Sequence, residues 1–269
     1  MESRKSGWAG VVKIAACAGV LAGATSGSAQ WLNYPTPGIP RTKEGKANLS
    51  APAPKAYDGK PDLSGVWSTD PDFFRNLAKD LKPEDVVMLP PAAKVQAERE
   101  TNDHRDDPMA RCMPPGVPRI DTSNNGEALH PFKIVQTPGL VVLLYETSVN
   151  STFRQVFLDG RPLPRDPQPT WLGYSVGKWE DNTLVVETAG FNGRAWLDTF
   201  KGHPQTEAGH VIERFTRRDF GHMDLVITID DPKAYVKPWT AKLPLTLVPD
   251  TELIETVCEN EKDTEHSSR

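Results

Sequence analysis

The chain has 269 residues, 38% of them hydrophobic and 25% charged, with a formal net charge of −5. That acidity argues against a nucleic-acid partner, whose phosphates require a basic face, and against an anionic membrane surface. Beyond the N-terminus no segment reaches about eighteen consecutive apolar residues, so no membrane span is expected in the mature chain.

The N-terminus reads as an export signal. Arg4, Lys5 and Lys13 supply positive charge, and Ile14 to Ala24 is a small-residue apolar run too short to cross a bilayer. Gly27-Ser28-Ala29 is a small-x-small cleavage site, so a secreted or periplasmic protein cut near Ala29 is expected. Ile14-Ala15-Ala16-Cys17 looks like a lipoprotein box, but Lys13 stands where that box requires an apolar residue. Removing residues 1–29 takes away three basic residues and one acidic residue and moves the net charge from −5 to −7. The remaining chain of about 240 residues is long enough for one sizeable core.

Residues 30–62 form an extended lead in which Pro35, Pro37, Pro40, Pro52, Pro54 and Pro61 forbid regular ladders. Glu44-Gly45-Lys46-Ala47-Asn48-Leu49-Ser50 echoes Asp58-Gly59-Lys60-Pro61-Asp62-Leu63-Ser64, which suggests two similar turns strapping this segment along the domain. The main domain is expected over 63–262, with a helical insert at about 70–101 and a disordered tail at 263–269. Asp70-Pro71 starts a helix that carries Phe73, Phe74, Leu77 and Leu81 on one side and ends at Pro83. Pro90-Pro91 starts a second helix through Thr101. The proline-rich loop Asp107 to Arg119 carries Cys112.

From Lys133 the hydrophobic period changes to two. Strands are expected over Lys133–Thr137, Leu140–Thr147, Thr152–Leu158, Leu172–Glu180, Thr183–Thr188, His210–Arg217, His222–Asp230, Trp239–Val248 and Glu252–Cys258. With a short strand near Gly65–Ser68 this makes about ten, a mostly β fold. A single antiparallel meander that closes on itself would leave no edge exposed. With Cys17 removed in the signal, Cys112 and Cys258 remain, and in an exported protein such a pair is expected to form a disulfide; two buried thiols are the alternative.

Leu63-Ser64-Gly65-Val66-Trp67 resembles the calycin and lipocalin opening, in which the tryptophan plugs the barrel floor. Further blocks are Cys112 to Arg119, Phe132 to Gly139, Asp159 to Pro164 and Trp171 to Glu180. Together they resemble a family of secreted bacterial proteins close to the calycin-like barrels, over roughly residues 31–262. The resemblance implies export and a β-barrel, and it supplies no catalytic residues.

Candidate chemistry therefore rests on residue types. Tyr174, Trp179, Phe191, Trp196, Phe215 and Trp239 come from different strands or adjoining loops; they either line a pocket for a flat or apolar ligand or fill a core. Glu187 and Glu213 lie within strands, where a desolvated carboxyl can act as general acid or base; the alternative is a surface ladder of charged pairs. Arg154 and Arg214 could orient a carboxylate or enolate, or pair with those glutamates; Tyr174 is a second candidate for stabilising developing negative charge. His203 and His222 are acid–base candidates, and His222 with Asp224, His130 and His210 are the residues from which a metal site could be drawn. No HExxH, paired-cysteine, P-loop or Gly-x-Ser-x-Gly pattern is present, so neither a metal nor an organic cofactor is predicted. The expected function is a small-molecule-binding barrel that carries or acts on an apolar or glycosidic metabolite. A cofactor-free lyase, isomerase, cyclase or hydratase and an envelope structural protein are the alternatives. The oligomeric state is left open.

Overall fold

A computed structural model describes residues 34–122, 130–147, 149 and 151–258. The expected signal peptide, its cleavage site near Ala29 and the tail at 263–269 lie outside the described residues. Among those described, nine strands close into one barrel in chain order: β1 (Gly65–Thr69), β2 (Phe132–Gln136), β3 (Leu140–Tyr145), β4 (Thr152–Phe157), β5 (Tyr174–Glu180), β6 (Thr183–Ala189), β7 (His210–Arg217), β8 (His222–Asp230) and β9 (Trp239–Leu247).

The all-antiparallel meander of about ten strands is corrected in two respects. Glu252–Cys258 forms no strand. Closure is already made by β9 on β1, through Trp67↔Leu247 to Thr69↔Leu245, and the amides of the last segment go elsewhere: Ile254 to Glu146 Oε2 (2.9 Å) and Thr256 to Ser151 Oγ (2.9 Å). Nine strands also cannot alternate in direction all the way round a closed ring, so one neighbouring pair must run parallel. That pair is β4·β5, joined by the long connection 158–173 instead of a tight turn, as parallel pairing requires. The other junctions are antiparallel.

Period-two alternation gives each strand an inner and an outer face. In β8 the inward residues are Met223, Leu225, Ile227 and Ile229, and in β9 they are Trp239, Ala241, Leu243, Leu245 and Leu247; all are buried in one continuous core. Each buried leucine, isoleucine or methionine among them stabilises the fold by about 1.5–3 kcal/mol relative to exposure.

One end of the barrel is closed by Trp67, fully buried, whose Nε1 donates to Leu63 O (2.9 Å). The Arg217 guanidinium lies 4.9 Å from its ring and is tied to the carbonyls of Asp62, Asp219 and Phe220. At the start of β1, Gly65 has φ +140°, and a Cβ there would meet Leu247 Cδ1 at 2.6 Å, so only glycine fits. The lead crosses the same end. Its two echoed turns make matching bonds: Thr42 N to Lys46 O and Asn48 N to Pro40 O in one, Ala56 N to Lys60 O and Asp62 N to Pro54 O in the other. Phe220 N and Gly221 N then bond to Ala51 O and Leu49 O, strapping the lead to the β7–β8 turn.

The helical insert covers the opposite end. The first helix, expected over 70–81, is only α1 (Asp72–Arg75), because the amide of Leu77 turns aside to Asp198 Oδ2 (3.0 Å) instead of continuing the helical ladder. The second is α2 (Pro90–Thr101), with the expected bounds and proline in its first turn. A short 3-10 turn, Arg119–Thr122, is wholly buried and enters the barrel mouth. Cys112 and Cys258 form a disulfide with Cα atoms 5.6 Å apart, tying the loop before that turn to the C-terminal segment.

Candidate functional site

The parallel junction is where the wall is thinnest. β4 and β5 are in register only at Val156↔Ser175 and Phe157↔Val176, so the first four residues of β4 run on without a partner strand on that side. There, between β4 and the segment 170–175, lies a cleft of about 410 Å³. Alternation turns Phe153, Gln155 and Phe157 outward along one wall, and Trp171, Leu172 and Tyr174 form the other, with Pro114 at the edge. Phe153 is 58% exposed. Gly173 turns the far wall at φ +68°; a Cβ there would lie 2.8 Å from Ala189 O.

The same alternation sends Arg154 and Ser175 inward, and they form the floor of the cleft. The Arg154 side chain reaches across the barrel interior. Its Nε donates to Ser175 Oγ on β5 (2.9 Å), its Nη2 to Thr188 Oγ1 on β6 (2.7 Å), and both terminal nitrogens to the Glu213 carboxylate on β7. Asp121, from the buried 3-10 turn, puts Oδ2 3.6 Å from Arg154 Nη1 and takes a 2.7 Å bond from the Tyr145 hydroxyl at Oδ1. Glu213 and the Asp121 side chain have no exposed surface, and Arg154 is 3% exposed.

One cation thus faces two carboxyls in a dry interior. Burial and the neighbouring Glu213 charge push the Asp121 carboxyl well above the ordinary carboxylate range. Burial likewise raises the Tyr145 hydroxyl. Arg154 is held charged: the attraction of Glu213 and its hydrogen bonds outweigh the desolvation that would lower it. The knot therefore comprises the Arg154–Glu213 ion pair with a second carboxyl beside it whose charged form burial disfavours, which limits the charge stranded in a low-dielectric core.

The other candidates fall into three places. Glu187, Arg214 and His222 are on the outer face: Glu187 lies 3.4 Å from His210 Nε2, Arg214 2.8 Å from Glu180, and His222 Nδ1 2.7 Å from Asp219. Asp224 pairs with Arg218 at 3.2 Å, not with His222. His130 lies 4.0 Å from Glu146. No group of three metal-ligating side chains occurs among the described residues. Phe191, Trp196, Phe215 and Trp239 are buried, and Trp179 is half-buried against the core; none of these five lines the cleft, whereas Tyr174 does. His203 is buried at the helical end, with Nδ1 2.5 Å from Asp198 Oδ2. Asp198 is fixed in turn by the amides of Leu77 and His203. Beside that end, burial lowers Arg99 to about 10.

Sequence reasoning named Arg154, Glu213 and Tyr174 but missed Asp121, Tyr145, Ser175, Phe153 and Trp171 as neighbours of one site. One signal was present in Thr152-Phe153-Arg154-Gln155-Val156: an arginine on the inward parity of a strand needs a buried acid opposite. The chain matches no protein-family model and no curated protein.

Proposed function

We propose that the protein is an exported binder of a small, flat, largely apolar molecule that enters the β4–β5 cleft and not the centre of the barrel. One observation carries this reading: the parallel junction opens an aromatic-walled cleft over a polar floor made by Arg154 and Ser175. The barrel centre is occupied by apolar side chains and by the Arg154 knot, so the wall is the better candidate. The Cys112–Cys258 bridge supports export to an oxidising compartment. The buried Trp67 beneath Arg217 supports a calycin-like kinship.

Titration of the purified protein with 1-naphthol, followed by tryptophan fluorescence, tests the site. A saturable quench is expected that is lost or strongly reduced in Trp171→Phe. A quench unchanged in that variant would place binding elsewhere.

A second reading, a cofactor-free lyase or isomerase, is favoured by Asp121, a carboxyl one layer beneath the cleft floor whose hold on its proton is strengthened by burial. Under it, Asp121→Asn abolishes turnover and leaves cleft binding unchanged.

A further inference from the structure

The chain carries 36 acidic residues against 31 basic ones, yet no aspartate or glutamate lines the β4–β5 cleft. Outside the lining residues, an arginine sits against one aromatic ring of each wall. The Arg161 guanidinium lies 4.0 Å from the Phe157 ring and donates to the Tyr174 hydroxyl at 3.1 Å, but Asp159 neutralises it. The Arg194 guanidinium lies 4.8 Å from the Trp171 ring, and none of the ion pairs among the described residues engages it. Arg154 beneath has committed four of its five N–H donors to Ser175, Thr188 and Glu213, and its Nη1 also lies 3.6 Å from Asp121 Oδ2, so it chiefly shapes the floor.

From this we infer that the cleft selects a planar anion, an aromatic carboxylate whose ring packs between Phe153 and Trp171 and whose carboxylate is taken by Arg194. The inference rests on the cleft being the binding site and adds the chemical class of its ligand. A guanidinium seated over an indole face keeps N–H groups at its edge, and these match the two oxygens of a carboxylate. Because the protein as a whole is negative, an anion is not drawn to it by net charge; a local unneutralised arginine is what would make the cleft discriminate. The contact is at the surface, so added salt should weaken it.

The test compares 2-naphthoate with its neutral analogue 2-naphthalenemethanol by isothermal titration calorimetry, on the wild-type protein and on Arg194→Gln and Trp171→Phe. The carboxylate is expected to bind about tenfold more tightly than the alcohol. That advantage should vanish in Arg194→Gln and shrink as salt is raised, while the alcohol binds both proteins alike. Arg194 takes part in none of the ion pairs among the described residues, so its replacement is not expected to disturb folding. Equal affinities for the two probes, or a carboxylate preference that survives Arg194→Gln, would overturn the anion assignment and leave the cleft standing. Binding of neither probe, or binding unaffected by Trp171→Phe, would overturn the cleft reading itself and the inference with it.

Discussion

The two sides of the barrel are built on different physics. From β6 to β9 the strands are seven to nine residues long and antiparallel, in register over six to eight positions, and the inner faces of β8 and β9 are wholly apolar. At β4·β5 the ladder has two register positions and the interior is polar, with Arg154, Ser175, Thr188, Glu213 and Asp121 brought together. On the first side, backbone ladders and hydrophobic burial hold neighbours in place. On the second, an odd number of strands leaves a seam the backbone barely spans, and one side chain bonds across it to β5, β6 and β7. A closed ring of strands with uneven parity thus puts its specificity into side chains where it lacks main-chain pairing. That is also where an opening to solvent remains.

Three changes would break or sharpen this contrast. The largest effect is expected from the disulfide, which anchors the loop at the cleft edge. Reduction, or Cys112→Ser, should lower stability by up to about 5 kcal/mol in the chain-entropy account. Hydrogen exchange should rise in 108–122 and 251–258 well before β7 to β9; a uniform rise would mean the two sides are one cooperative unit. Next comes the knot. Arg154→Met strands the Glu213 charge and should cost about 3–5 kcal/mol in denaturant unfolding, most of it recovered in the double variant Arg154→Met/Glu213→Leu. Arg214→Ala, at the exposed pair with Glu180, should cost under about 1 kcal/mol. If the double variant is no better than the single one, the seam depends on the hydrogen bonds to Ser175 and Thr188, not on charge pairing.

The last effect is graded with pH. In the folded state Asp121 keeps a proton that the unfolded chain gives up above about pH 4. Its contribution is therefore fully present below that pH and is lost as pH rises toward the folded-state value. The stability of the wild type relative to Asp121→Asn should fall by about 1.4 kcal/mol per pH unit across that window. A flat difference would show that Asp121 ionises normally and that the knot carries a second negative charge.

Much of the fold could be read from the chain alone, because its causes are local. Alternation in His210–Arg217 and His222–Asp230 gave strand bounds that match the observed ones, since period two follows from the pleat. Pro90 marked the start of α2, and the two echoed glycine turns make the same bonds fourteen residues apart because the same short sequence meets the same backbone geometry. The Cys112–Cys258 bridge was the favoured of two readings, since only those two cysteines stand beyond the expected signal. What needed the tertiary structure was everything set by closure. Strand parity depends on the whole ring, so no local pattern announces that β4 and β5 run parallel or that a cleft opens between them. Asp121 sits in a short turn with no period, distant in sequence from Tyr145, Arg154 and Glu213. The upward shift of its carboxyl arises only when folding removes water from all four groups together.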